Sequence, residues 1–158
     1  ELINDRFRTY NFDVMEGVTY TIDVTQPARF DENGKPVAPQ ASRIRDLRWQ
    51  GRPVADGDEF IVATNNYRAS GGGGFAGLDG TQIVLDAQDE NRQALAAYLA
   101  GAGQFDPSAD GNWKLAPVPG VKLRFRSGAA AKAHLDRYPS IRLVQDGSDG
   151  SALFEIAP

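Results

Sequence analysis

The sequence predicts a mixed α+β domain with more strand than helix. Residues 18–24 and 121–126 alternate apolar and polar side chains, which is typical of strands with one buried face. Residues 89–101 predict a helix, because acidic residues begin the segment, Leu95, Tyr98 and Leu99 share one face, and Gly101 offers a stop. The length of 158 residues fits one domain, and we expect residues 1–158 to form a single, partial domain of a larger protein.

Further strands are expected in the first half of the chain. After a turn-rich excursion over residues 30–40, Ile44–Trp49 predicts a strand that returns beside the first one. Residues 50–53, Gln-Gly-Arg-Pro, predict a tight turn. Residues 59–64 form a short, nearly continuous apolar run, which predicts a buried strand, and residues 82–85 are a further strand candidate.

The second half alternates between loops and short regular elements. Residues 102–119 are rich in proline and glycine and predict a long loop, with Trp113 as a buried anchor. Ser127-Gly128 is expected to open a short helix that ends near Tyr138. Residues 141–144 and 152–156 predict a terminal pair of strands.

Composition narrows the classes of function. Apolar residues make up 41% and charged residues 24%, which is typical of a globular domain rather than a disordered one. The net charge of −4 argues against a nucleic-acid polymer as a partner, and no apolar run approaches membrane-spanning length. The start at Glu1, without Met or a signal peptide, is interpreted as an internal cut in a longer chain.

The chain has no cysteine and a single histidine, His134. Thiol catalysis is therefore excluded, and a metal centre built on several histidines cannot form from these residues. His134 lies in an alanine-rich segment that predicts the surface of a helix. We therefore predict no catalytic residue and no metal ligand in this chain.

The candidate binding segment runs from Asn65 to Phe75. Two side-chain amides (Asn65 and Asn66), an aromatic ring (Tyr67) and a cation (Arg68) precede four glycines, Gly71–Gly74. Four consecutive glycines are costly to order, and they are tolerated where φ is positive or where another group comes close to the backbone. Together with amides and an aromatic face, they favour a site for a planar, polar ligand such as a nucleobase. We expect the loop to leave the end of a core strand.

The candidate ligand-binding residues are therefore Tyr67, Asn65, Asn66, Gly71, Gly72 and Gly73. The run lacks the Gly-Lys-Ser/Thr of a phosphate-binding P-loop, since it ends in Phe75-Ala76-Gly77. Other interpretations stay open: a flexible hairpin tip, a Tyr67 ring in the core, and an Arg68 that forms a salt bridge rather than meeting a phosphate.

Several motifs together resemble the C-terminal domain of the 5'-nucleotidase family. Within that family, the likeness is greatest to the bacterial periplasmic branch of 2',3'-cyclic-nucleotide 2'-phosphodiesterase/3'-nucleotidases. The motifs that carry it are Tyr10-Asn11-Phe12-Asp13, Gly17-Val18-Thr19-Tyr20, residues 22–28, residues 63–69 with Gly71-Gly72, Asp89-Glu90-Asn91-Arg92, and residues 112–117.

This resemblance implies a role within a larger, secreted or periplasmic hydrolase. In the family, an N-terminal metallophosphoesterase domain holds two divalent metal ions and performs the hydrolysis. The C-terminal domain binds the nucleoside part of the nucleotide, and an aromatic ring at the position of Tyr67 stacks on the base. The chain alone is accordingly expected to be inactive and to need no cofactor of its own. Its expected partners are a nucleotide and its own N-terminal domain.

One departure from the family pattern concerns Gly73. The resemblance implies that 5'-nucleotidases carry an aspartate there, which holds the ribose hydroxyls. A 2',3'-cyclic phosphate or a 3'-phosphate offers no free hydroxyl pair, and a carboxylate would repel it. Gly73 thus favours the cyclic-phosphodiesterase and 3'-nucleotidase branch. The alternative is a non-catalytic, nucleotide-binding or surface module of a degenerate nucleotidase-like protein.

Overall fold

The structure, a computed structural model, describes residues 12–156. The predicted α+β class is confirmed, with two separate sheets and few helices. Tyr10 and Asn11, which begin the first family motif, lie outside the described residues. Within the described part, no helix has both the length and the apolar character needed to cross a membrane.

The first sheet has four strands in the order β3-β2-β1-β4. Strand β1 (Thr19–Ile22) pairs antiparallel with β2 (Ile44–Trp49) and parallel with β4 (Trp113–Leu115). A two-residue turn of Gln50 (φ 49°) and Gly51 (φ 81°) joins β2 to β3 (Arg52–Pro53). Positive φ at both positions matches the twist of a tight hairpin, so the predicted turn is confirmed.

Strand β4 brings the Asn112–Pro117 motif against the start of the sheet. Nδ2 of Asn112 donates to the carbonyl oxygens of Met15 (2.6 Å) and Val18 (3.2 Å). The Trp113 ring is half-buried rather than buried and meets the Phe12 ring at a centroid distance of 5.6 Å. Residues that were predicted as a loop anchor thus form an edge strand of the sheet.

The second sheet has three strands, β5-β7-β6, and contains the most buried side chains. Strand β7 (Ser151–Ile156) lies between β5 (Leu123–Gly128) and β6 (Ile141–Asp146), antiparallel to both. A 3₁₀ helix over Ala129–Arg137 connects β5 to β6. The terminal strand pair and the short helix are confirmed, while β5 begins two residues later than predicted.

Helix α1 (Asn66–Ala69) is a single turn, and helix α2 (Asn91–Ala102) is the predicted longer helix. Helix α2 runs through Gly101 and ends at Gly103 (φ 69°), so the expected stop lies two residues later. The predicted apolar face of α2 is not buried: Leu95, Tyr98 and Leu99 are all exposed.

Two strand predictions were wrong. Residues 59–64 and 82–85 form no strand, and Ile61 and Leu85 are 88% and 80% exposed. A short apolar run becomes a strand only where a neighbouring strand satisfies its backbone N–H and C=O groups. Neither run joins either sheet within residues 12–156. The glycine segment therefore does not leave the end of a core strand, as expected, but follows an extended, exposed segment.

Candidate functional site

Two side-chain amides fix the start of the candidate site. Asn65 is the N-cap of α1, with φ −84° and ψ 159°, and its Oδ1 accepts from the backbone N–H of Arg68 at 2.8 Å. Oδ1 of Asn66 accepts from the backbone N–H of Tyr67 at 2.9 Å. A helix start leaves its first N–H groups without intrahelical partners, and these two amides satisfy two of them.

Tyr67 lies in the single turn of α1 and is 63% exposed. Its carbonyl oxygen accepts a hydrogen bond from the N–H of Gly72 at 2.7 Å, and this bond connects the glycine loop to α1. A Cβ added at Gly72 would lie 2.5 Å from Cδ1 and Cε1 of the Tyr67 ring. Glycine at position 72 therefore leaves room for one edge of the ring, while most of the side chain stays open to a ligand.

Arg68 lies at the centre of the loop, and its side chain is only 12% exposed. Its Nε is 2.8 Å from Oδ2 of Asp13, and its Nη2 is 3.1 Å from Oδ1 of the same carboxylate. Its Nη1 donates to the carbonyl oxygen of Gly72 at 3.3 Å. The guanidinium carbon lies 4.7 Å from the centroid of the Phe75 ring and 5.5 Å from that of Tyr67. Of the two roles left open for Arg68, the structure has the salt bridge.

A side chain at position 73 would have no room as long as the Arg68 guanidinium stays where it is. Gly73 has φ 86°, and a Cβ added there would overlap Nη1 of Arg68 and lie 3.0 Å from Cε2 of Phe75. The guanidinium and the Phe75 ring fill the space that a side chain would need. Glycine is therefore favoured here by its positive φ, and any larger residue would have to displace the Arg68 guanidinium.

The far end of the loop rests on the turn that follows β1. A Cβ added at Gly74 would lie 2.5 Å from the carbonyl oxygen of Glu32, and one added at Gly34 would lie 2.6 Å from that of Gly74. The turn is held by Asp31, whose carboxylate accepts from the backbone N–H groups of Asn33 and Lys35, both at 2.9 Å. The hydrogen bonds from Lys35 and Asn33 lower the pKa of Asp31, so this carboxylate is a charged structural acceptor.

The carboxylates near the loop act as hydrogen-bond acceptors within turns. Asp79 has a lowered pKa because the hydroxyl and the N–H of Thr81 bond to it, which again marks a turn. Across residues 12–156, no group of three or more His, Cys, Asp or Glu side chains could hold a metal ion. His134 lies in the 3₁₀ helix and is exposed, as predicted.

The pairing of Arg68 with Asp13 was missed by the sequence reasoning. The two residues are 55 positions apart, and no periodic pattern joins them. The sequence offered one indication that the two residues are linked: each lies within a family motif, Asp13 in the first motif and Arg68 beside Tyr67. The same holds for Phe75, whose packing against the guanidinium follows only from the folded loop.

The fold and the loop define an α+β domain that carries an exposed aromatic on a glycine-rich surface loop. Residues 3–80 match the family model described as 5'-nucleotidase, C-terminal domain. The chain belongs to this family, as the resemblance of its motifs indicated.

Curated relatives extend the similarity along almost the whole chain. It is 44% identical over 156 residues to the trifunctional nucleotide phosphoesterase protein YfkN of Bacillus subtilis, covering 98% of this chain and 11% of that protein. It is 44% identical over 168 residues to the 2',3'-cyclic-nucleotide 2'-phosphodiesterase/3'-nucleotidase of Salmonella typhimurium, covering 98% and 26%. The protein of that name from Haemophilus influenzae is 42% identical over 164 residues, covering 95% and 24%.

The chain thus spans between about a tenth and a quarter of the length of these relatives. No solved structure matches it.

Proposed function

We propose that this chain is the nucleoside-binding part of a larger phosphoesterase that hydrolyses 2',3'-cyclic nucleotides and 3'-nucleotides. The observation that carries the proposal is the exposed ring of Tyr67, held by α1 and Gly72 on a loop of the family's own sequence pattern. The names of the relatives support the reaction class. Residues 1–158 then act as one substrate-binding domain.

Tyr67 is the base-binding residue in this proposal. An exposed aromatic face stacks on a nucleobase with about 1–3 kcal/mol per base, and stacking tolerates different bases because each has a π-face. Asn65 and Asn66 fix the turn that carries the ring, and in this proposal an Nδ2 group, which is a hydrogen-bond donor, bonds to the edge of the base. Gly71, Gly72 and Gly73 keep the loop narrow beside the ring, so that a ligand can approach the backbone.

Catalysis itself is assigned to a part of the protein beyond this chain. We propose an N-terminal metallophosphoesterase domain with two divalent metal ions, which activate a water molecule and stabilise charge on the phosphoryl group. The present residues contribute by orienting the substrate, which lowers the entropic part of the barrier without acting on the phosphorus. A periplasmic or secreted location belongs to the same proposal.

The test compares two tyrosines of equal exposure. In the full-length protein, Tyr67→Ala should raise KM for 3'-AMP about tenfold or more, as expected when stacking of about 1–3 kcal/mol is lost. Tyr98 is 62% exposed on α2, and Tyr98→Ala is the matched control. Bis-p-nitrophenyl phosphate, which has no base, should show a much smaller change in KM. Equal changes for both substrates, or for both tyrosines, would argue against stacking by Tyr67.

A further inference from the structure

Among the described residues, Arg68 contacts the Asp13 carboxylate, the Gly72 carbonyl and the rings of Tyr67 and Phe75. The carboxylate of Asp13 accepts from two nitrogens along one edge of the guanidinium, Nε at 2.8 Å and Nη2 at 3.1 Å. The Gly72 carbonyl accepts from Nη1, and the rings of Tyr67 and Phe75 lie within 5.5 Å and 4.7 Å of the guanidinium carbon. A planar, delocalised cation with five N–H donors can make such contacts together, whereas a lysine ammonium cannot.

The strength of this arrangement follows from its partial burial. Exposed ion pairs contribute little, because solvent screens them and both side chains stay mobile. Arg68 is different, since its side chain is 12% exposed and makes paired, charge-assisted hydrogen bonds to Asp13, although the Asp13 side chain itself is 43% exposed. The guanidinium is therefore a fixed part of the loop.

The geometry of Gly72 and Gly73 connects Arg68 to the ring of Tyr67. The carbonyl oxygen of Gly72 accepts a hydrogen bond from Nη1 of Arg68. The Cα of Gly72 lies beside one edge of the Tyr67 ring. Gly73 leaves the space that Nη1 of Arg68 occupies. A shift of the guanidinium would remove the hydrogen bond to the Gly72 carbonyl, so Gly72 would be held beside the Tyr67 ring only by the bond from its N–H to the Tyr67 carbonyl oxygen.

We propose that Arg68, held by Asp13, is a positioning residue that fixes Tyr67 for nucleoside binding and so sets nucleotide affinity without touching the substrate. This inference rests on the function proposed above for Tyr67. It gives the Tyr10–Asp13 motif a role, because Asp13 orients the guanidinium. It also explains why position 73 is glycine in a chain with arginine at position 68.

The experiment measures steady-state kinetics of the full-length protein with 3'-AMP and with bis-p-nitrophenyl phosphate. Arg68→Met keeps the length of the side chain and removes its charge. We expect it to raise KM for 3'-AMP about tenfold with kcat changed less than about twofold, as loss of the ring orientation would remove much of the stacking energy. Asp13→Asn should act in the same direction, and the double variant should fall well short of the product of the two effects.

A matched control is available in Arg52. Its guanidinium carbon lies 5.2 Å from the Trp49 ring, and its Nη1 is 2.8 Å from Oδ2 of Asp58. Arg52→Met therefore removes the same kinds of contact at a place away from the loop, and it should leave KM for 3'-AMP unchanged. Arg68→Lys is the conservative variant, which keeps the charge opposite Asp13, and it should recover part of the lost affinity.

The outcomes separate this inference from the proposed function. If Tyr67→Ala raises KM for 3'-AMP while Arg68→Met and Arg68→Lys do not, the positioning role of Arg68 is overturned and base stacking stands. If none of these variants changes KM, both are overturned. A kcat loss of equal size with both substrates in Arg68→Met would show a general structural role and would also overturn the inference. A rise in KM confined to 3'-AMP, with partial recovery in Arg68→Lys, supports it.

Discussion

The Arg68 guanidinium and the Asp13 carboxylate meet at two points, Nε to Oδ2 at 2.8 Å and Nη2 to Oδ1 at 3.1 Å. This pair ties the segment before β1 to a loop 55 residues later in the chain. The loop is thereby held from three sides: by Asp13, by the cap of Asn65, and by the turn at Glu32–Gly34. A segment with four consecutive glycines is thus given a defined shape.

The space at Gly73 can be tested with two alanine substitutions. Gly73→Ala and Gly77→Ala both place a side chain at positive φ, 86° and 81°, and each should cost about 1 kcal/mol of stability. Only Gly73→Ala also displaces Arg68, because a Cβ at Gly77 has nothing within 4 Å. We expect Gly73→Ala alone to raise KM for 3'-AMP several-fold. Equal KM values for the two variants would contradict the role assigned to this space.

Gly72 offers a test at a position where φ is not positive. A Cβ there would lie 2.5 Å from both the ring and the carbonyl oxygen of Tyr67, so Gly72→Ala must change the position of the tyrosine relative to the glycine loop. We expect a rise in KM for 3'-AMP that approaches the effect of Tyr67→Ala. Gly57→Ala is the control, since nothing lies within 4 Å of a Cβ at that position. An unchanged KM in Gly72→Ala would show that ligand binding does not depend on the position of this ring.

The cap at Asn65 should be visible in hydrogen exchange. Its Oδ1 accepts from the Arg68 N–H at 2.8 Å, and Asn65→Ala removes this bond at a cost of about 1 kcal/mol. The Arg68 amide should therefore exchange several-fold faster, whereas Asn65→Asp, which retains an acceptor, should keep most of the protection. Equal exchange rates in Asn65→Ala and in the parent chain would contradict the cap.

The second sheet should give the protein an acid-sensitive stability. Glu155 lies on β7 and is 5% exposed. Its hydrogen bond with Arg142 lowers the pKa of its carboxyl below the ordinary value of 4.5, and its hydrogen bond with Arg124 lowers this pKa further. A carboxyl with a lower pKa in the folded state contributes stability that is present above the unfolded pKa and is lost as pH falls through the folded pKa. The free energy of unfolding should therefore decline as pH falls below about 4.5.

Urea unfolding at a series of pH values measures this dependence. Glu155→Gln should flatten the decline between neutral and acidic pH, because the variant has no proton to bind at this position. Arg142→Gln should flatten it only partly, since Arg124 remains beside the carboxylate. A decline in Glu155→Gln as steep as that of the parent would assign the acid sensitivity to other carboxyls.

The elements that the sequence predicted well are those whose signals are local. The alternation in β1 and β5, the Gln50-Gly51 turn and the terminal strand pair all depend on neighbours within a few residues. The strand predictions for residues 59–64 and 82–85 were wrong, because an apolar run indicates a tendency to be buried but does not show that a partner strand is available. Trp113 likewise needed a parallel partner, β1, that lies far away in the chain.

The residues of the candidate site were proposed from the sequence alone, and their contacts with one another were not predictable from it. Asn65, Tyr67 and the glycines were identified from their residue types. Their neighbours were not, because the contacts of Gly73 with Arg68 and of Gly74 with Glu32 depend on how separate turns pack together. Arg68 in particular has many possible partners in a sequence, and only the fold selects Asp13.

The central claim is that a nucleobase stacks on Tyr67, and NMR of the tyrosine rings tests it most directly. The chain has five tyrosines, and Tyr67→Phe assigns the ring signal of interest. On titration of the 158-residue chain with 3'-AMP, the ring current of the base should move the Tyr67 signals upfield in a saturable way, while those of Tyr98 stay in place. Saturable binding that leaves the Tyr67 signals unmoved, or that moves both rings equally, would contradict the account.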